Sequence, residues 1–429
     1  MDSAAADGPQ PGPGPAANPL GHGPVLLLTG ARLADGRVVD VRISGDRIQA
    51  VGTSGGLGPL PAMPGAPTVT TGARIDLRGY LLLPAPAEAH AHYDVAFSAA
   101  LPEPPPETSA DLTRRVTEAA LTSLGYGATA QRTHVRIGDV HGLRRLEAVL
   151  TARQALRGLA ELQAVAMPRL LTGRAGADGR AQLREALKLG ATAAGGCPEL
   201  DPDPAGYVQL LLEAAREADC PVDLHTTAAD PARLARLAGA LAPLRPRVVL
   251  GPCGSLAPGA STVLANTGVR VVCLPQNGGC TGLEGLAPAS GVRPAALREL
   301  VRAGVPLVAG SGSLRDGANP VGRADPLEAA YLLAAGGVLE PEAAYDAVSN
   351  QARLALGLPP VRVDAGFPAE LLAVRGDSLA GALAGGHSRL VVHSGRVVSR
   401  TSAVREFADT VALALPRQSD GTDGRGPDE

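Results

Sequence analysis

The sequence predicts an α/β fold, a TIM-type (β/α)8 barrel joined to a small β-domain built from both chain ends. Two observations predict it. Apolar β-type runs alternate with helical patterns about every 25 to 40 residues, eight times in about 270 residues. Two groups of short strands flank that middle.

Taken in order, residues 1–23 are rich in Gly, Pro and Ala and cannot bury surface, so they read as a disordered tail. Residues 24–79 carry the strand-like runs "VLLLTGARLADG", "VVDVRISGDRIQAVG" and "TGARIDL", broken by Gly and Asp turns. Residues 80–359 form the barrel. Its eight β-type runs are "YLLLPAP", "ATAQRTHV", "ELQAVAMP", "GATAAGG", "PVDLHT", "RVVLGP", "VRVVCLP" and "VPLVAGS". Stretches such as "LRRLEAVLTARQALRG", "GYVQLLLEAAREADC" and "RPAALRELVRAG" between them place apolar residues at helical spacing. Residues 360–403 return to strands with "AELLAVRG", "SRLVVHSG" and "RVVSRT" and complete the small domain. Residues 404–429, ending "DGTDGRGPDE", read as a second tail.

With 429 residues, 45% of them apolar, the chain has ample material for one large core and a smaller one. Its 39 basic and 42 acidic residues are interspersed and sum to −3, which leaves no basic stripe for phosphates and argues against a nucleic-acid partner. Cys197, Cys220, Cys253, Cys273 and Cys280 form an odd, scattered set without a C-x-x-C pair, as expected of a cytoplasmic protein. The first apolar run, "VLLL", is too short for a signal h-region or a membrane span of about 20 residues, so no membrane association is expected.

In such barrels the chemistry sits at the C-terminal ends of the strands. After the first run comes "AEAHAHYD", where His90 and His92 lie two apart in an extended chain and can reach one point, as a metal requires. His134 in "RTHV" and His225 in "DLHTT" follow at later strand ends. Alone each would serve as well in a core or on a rim; together with the pair they suggest one site.

These segments resemble the amidohydrolase superfamily, and within it the cytosine deaminase group. The resemblance runs from residue 24 to about residue 403, through "IDLRGYLLLPAPAEAHAHYD", "QRTHVRIGD", "QAVAMP", "LREALKLGA", "PVDLHTT" and "GFPAELLAV". It implies a β/α barrel with a split β-sandwich, and one divalent metal, zinc or iron, that activates water to hydrolyse C–N bonds in small cyclic substrates. His90, His92 and His225 match the metal ligands of that family.

The departures matter as much. The proton-shuttling glutamate of the family aligns with Ala228, the sixth-strand histidine with Cys253, the eighth-strand aspartate with Gly312, and the pyrimidine-reading glutamine with Arg169. General acid–base groups contribute about 10²- to 10⁴-fold each, so these losses remove most of the expected acceleration. Cys253, if it points inward, would close the site as a thiolate ligand. Asp316 is either a turn acid or a carboxylate folded back into the pocket, and Asp94 either a loop cap or a group orienting a histidine. Tyr93 and Phe97 either stack a ligand or pack in the core. Arg169 and His134 are candidate substrate contacts, Arg169 for an anionic group.

Two readings follow: a weak or non-catalytic ligand-binding relative with a degraded centre, or an active mononuclear hydrolase or deaminase on a non-cytosine substrate, its proton relay rebuilt from Asp316, Asp94 or His134. Either takes a small-molecule ligand and admits a homo-oligomer. A third reading is a purely structural or assembly role.

Overall fold

Strands β1 (Val25–Arg32), β2 (Val38–Ser44) and β3 (Arg47–Thr53) form an antiparallel meander in a computed structural model. The structure describes residues 25–60, 62–63, 66–70, 72–99, 106–138, 142–244, 247–253, 256–276 and 293–403. The expected tails and Cys280 lie outside them. A short hairpin, β4 (Ala62–Met63) with β5 (Ala66–Thr70), leads to β6 (Gly72–Asp76) and β7 (Tyr80–Pro84), which both run parallel to β1. From the other end of the chain, β16 (Leu371–Arg375), β17 (Arg389–His393) and β18 (Arg396–Thr401) join the same sheet when β16 pairs antiparallel with β7. The two ends thus meet in one mixed eight-stranded sheet over a core that includes Leu28, Val41, Ile43, Leu82, Leu371 and Val392.

The second sheet is the barrel. Its parallel strands are β8 (Ala87–Ala91), β9 (Ala130–Ile137), β10 (Glu161–Pro168), β11 (Ala193–Gly196), β12 (Val222–Leu224), β13 (Val248–Leu250), β14 (Arg270–Cys273) and β15 (Leu307–Ala309), neighbours in chain order. Helices α1 (Ser109–Gly125), α2 (Arg144–Ala155), α3 (Ala177–Leu189), α4 (Pro204–Glu217), α5 (Pro231–Leu241), α6 (Ala260–Thr267), α7 (Pro294–Arg302) and α8 (Pro326–Ala335) alternate with them. The short helices α9 (Pro341–Val348), α10 (Asn350–Ala355) and α11 (Leu379–Gly385) follow. Three barrel helices begin at an Asp-Pro pair: Asp203, Asp230 and Asp325 accept backbone N–H groups of the first turn, and the proline occupies a position whose own N–H would be orphaned.

One expected strand is corrected. "YLLLP" belongs to the small sheet, and the first barrel strand is the next segment, "AEAHA". A continuous apolar run is the stronger β signal, whereas Glu88 and His90 make the true barrel strand look like a loop. Each of the other seven runs contains or overlaps a barrel strand, β9 extending two residues beyond its run to Ile137.

The barrel closes between its last strand and its first. Ala91 bridges to Gly312, the Gly312 amide donates to the His90 carbonyl at 2.9 Å, and the buried Glu88 carboxylate accepts from the Ser311 amide (3.1 Å) and hydroxyl. The seam therefore runs through the backbone of the histidine segment.

Sheet and barrel are tied by a buried ion pair. Arg389 of β17 grips both oxygens of Asp325, the α8 cap, at 2.8 Å each, and also donates to the Tyr126 carbonyl beyond α1. Removing one partner of a buried pair strands the other charge, at a cost of about 3–5 kcal/mol. Arg389→Ala is expected to lower the urea-unfolding free energy by that amount, and a loss below about 1 kcal/mol would show that the tie contributes little.

Candidate metal centre

The side chains of a strand alternate between faces, so residues two apart share one. On β9 this sends Val135 and Ile137 into the main apolar core, while Arg132 and His134 face the other way. On β12 Val222 and Leu224 join that core, and Asp223 and His225 take the opposite face. Arg132 and Asp223 meet at 3.0 Å although β10 and β11 separate their strands, so both reach into the barrel.

Four imidazoles gather there: His90 from β8, His92 just past it, His134 from β9 and His225 just past β12. Their ring centroids lie 4.0 to 5.5 Å apart, with His134 stacked on His90 at 4.0 Å. One nitrogen each from His90, His134 and His225 falls within 4.8 Å of the others, and Nε2 of His92 is 3.4 Å from Nε2 of His225. His92 is 5% exposed and the other three 1% or less.

These residues fit a divalent metal. Both ring nitrogens of His90 and of His134, and Nδ1 of His225, are buried without a hydrogen-bond partner, a costly state that an ion would relieve. Burial, then the neighbouring imidazoles, push His90 and His225 well below the ordinary histidine range, and burial followed by His134 pushes His92 down to about 3. His90, His92 and His225 are thus neutral, the form that binds metal.

A carboxylate stands behind His134. Oδ1 of Asp223 lies 3.1 Å from Nε2 of His134, too poorly aligned for a full hydrogen bond, and Oδ2 accepts from Arg132. Arg132 also donates to Oε1 of Gln163 at 2.8 and 3.2 Å, and Gln163 donates to the Leu356 carbonyl. Burial alone would raise the Asp223 pKa, but His134 and Arg132 outweigh it and hold the carboxyl below its usual range.

The other predicted site residues stand elsewhere. Cys253 is buried but does not join the converging nitrogens, and burial, then Glu199, push its thiol up to about 12. Asp316 is fully buried and accepts the amides of Ala318 and Asn319 at 3.0 and 3.2 Å and, at 3.4 Å, of Leu314, which makes it a loop cap. Asp94 pairs with Arg145 at 3.1 Å rather than with a histidine. Arg169 is exposed at the end of β10. Tyr93 packs in the main core, and Phe97 lies under Arg315 at 4.6 Å. Ala228, buried with φ +55°, and Gly312, with φ +77°, bring no proton-carrying group to the centre.

A cleft of about 300 Å³ opens beside the ends of β11 and β12, lined by Glu199, Thr226, Ala228, Arg233 and Arg236 among others. Glu199 clamps the segment after His225, accepting from the Thr226 hydroxyl (2.7 Å) and from the Thr227 amide and hydroxyl. The histidines do not line this cleft.

Sequence reasoning missed Glu88, Arg132 and Asp223, yet each announces itself: a charged residue stands two before His90, His134 and His225, on the same strand face.

A (β/α)8 barrel with histidines converging from its first, second and fifth strands is an arrangement able to hold a divalent metal. The chain is similar to curated and solved members of the amidohydrolase superfamily, in its cytosine-deaminase-like group. It is 26% identical over 233 residues to N-isopropylammelide isopropyl amidohydrolase of Pseudomonas sp. (strain ADP), a match covering 47% of this chain and 52% of that protein, about half its length. Pterin deaminase of Rhizobium rhizogenes (strain K84 / ATCC BAA-868) is 27% identical over 382 residues, 79% of this chain and 85% of its own. The crystal structure of N-isopropylammelide isopropylaminohydrolase from Burkholderia multivorans ATCC 17616 superposes with a TM-score of 0.72 at 27% identity, covering 88% of this chain and 99% of that one. No family model matches the chain.

The buried rings set a pH dependence. His90, His92 and His225 titrate lower folded than unfolded, so the unfolded chain binds more protons and their contribution to stability, complete above pH 6.5, is lost as the pH falls. Glu88 acts in the opposite sense: burial, against hydrogen bonds from Ser311 and the His90 amide, raises it from 4.5 to about 7, so its contribution is lost as the pH rises. Three groups outweigh one, and urea midpoints with chelator present are expected to drop from pH 7 to pH 5, more steeply in Glu88→Gln. A flat profile would show that the rings are not desolvated.

Proposed function

We propose that this protein retains the metal centre of its superfamily but has lost most or all hydrolytic power, and acts as a weak or non-catalytic ligand-binding relative. One observation carries the reading: the histidines are kept and converge, while the positions of both proton-carrying carboxylates hold Ala228 and Gly312. A divalent ion on these imidazoles supplies Lewis acidity at the strand ends. Proton transfer must come from side chains, and those nearby are engaged: Asp316 with loop amides, Asp94 with Arg145, and Cys253 as a neutral thiol. Losing two such groups costs roughly 10⁴-fold or more in rate. The ligand is a small molecule, and Arg169 offers a guanidinium to an anionic group. A cytoplasmic location and a homo-oligomer are part of the same proposal.

A second reading, an active hydrolase with a rebuilt relay, is favoured by the contact between Asp223 and His134, since a carboxylate behind an imidazole is the arrangement of a general base.

Elemental analysis of the purified chain is expected to give about one metal per chain, lost in His90→Ala with His92→Ala. The metal-loaded protein, assayed with cytosine, N-isopropylammelide and a pterin, is expected to be no faster than that double variant. Turnover dependent on His90 would sink the non-catalytic reading, and its loss in His134→Asn with metal still bound would establish the second.

A further inference from the structure

We infer that His134, from the second barrel strand, takes the ligand place that Gly312 leaves open, giving an all-imidazole centre of His90, His92, His134 and His225 with Asp223 as the carboxylate that positions His134. This deepens the function proposed above and rests on its premise that the strand ends hold a metal.

The first argument is the gap. Position 312 has no side chain, yet its backbone touches the ligand strand, its amide lying 2.9 Å from the His90 carbonyl. Any fourth protein ligand must therefore come from another strand. Among the described residues, the ligand-type side chain gathered with His90 and His225 is His134.

The second argument is geometry. Two nitrogens held about 2.0–2.1 Å from one tetrahedral ion stand about 3.4 Å apart. His92 and His225 already show 3.4 Å between their Nε2 atoms. The nitrogens of His90, His134 and His225 lie within 4.8 Å of one another, and His92 joins the group through His225.

The third argument is the support behind His134. Nε2 faces Asp223, and Nδ1, on the other side of the ring, is buried without a partner. A metal-bound histidine ordinarily turns its second nitrogen to a carboxylate that fixes its orientation. Here that carboxylate is itself fixed by Arg132, which Gln163 holds. A histidine that merely filled the core would need no such chain of buried charged groups.

The chemistry follows from the donor set. Four imidazoles without a carboxylate ligand suit zinc, nickel or copper rather than magnesium, calcium or manganese. Four protein ligands also close a tetrahedral zinc site and leave no position for water, which accords with the lost proton carriers.

X-ray absorption at the zinc edge of the zinc-loaded full-length chain tests this on the unaltered protein. The expected first shell is four nitrogens at about 2.0 Å with the scattering of four imidazoles. Chelator competition is expected to show zinc affinity at least about 100-fold weaker in His134→Ala and about 10- to 100-fold weaker in Asp223→Asn. The visible bands of the cobalt-loaded Asp223→Asn protein are expected to shift, a change that structural support alone would not produce. If the chain binds one zinc through three imidazoles plus oxygen, and His134→Ala binds it equally well, this inference falls and the proposed function stands. If the chain binds no zinc, nickel or copper, both fall. Should His134→Ala not fold, the spectrum of the unaltered chain decides.

Discussion

Asp223 is a charged group without exposed surface inside a barrel, and such a group is tolerable only when its charge is met. Arg132 meets one oxygen and His134 faces the other. At about 3 Å and an effective dielectric of about 20, a full charge pair is worth about 5 kcal/mol, comparable to the several kcal/mol that desolvating each ion costs. The pair is thus sustained by its geometry, which ties β9 to β12 through the barrel interior and, by way of Gln163, to β10 and the Leu356 carbonyl. The same strands deliver His134 and His225, so the lattice below the centre also sets where its imidazoles stand.

The seam of the barrel is the second constraint. Glu88 holds the segment after β15 against β8, and the Gly312 amide lies on the His90 carbonyl. Closure at position 312 needs no side chain of its own, because it runs through backbone and Glu88. A fold describes the frame, while chemistry depends on side chains placed on it.

Much of the fold was legible in the sequence because barrel strands are short apolar runs and barrel helices have a 3.6-residue period. The exception is instructive. "YLLLP" was the stronger strand signal and "AEAHA" the weaker, yet the latter entered the barrel, since its polar residues are paid for by contacts with β9 and with the segment after β15. The pattern Glu88–His90, Arg132–His134, Asp223–His225 was also present in the sequence, as a charged residue two before each histidine.

The sequence by itself determined the alternation of strands and helices, the joining of the two chain ends in one domain and the presence of histidines at strand ends, because these depend on local period and on spacing along one chain. Tertiary structure alone decided which polar residues share a centre. Asp316 lies four residues from Gly312 and is spent on loop amides, while Asp223 lies 89 residues from His134 and faces it at 3.1 Å. Distance along the chain carries no information about which carboxylate a closing barrel brings to a given histidine; the stagger of its strands does.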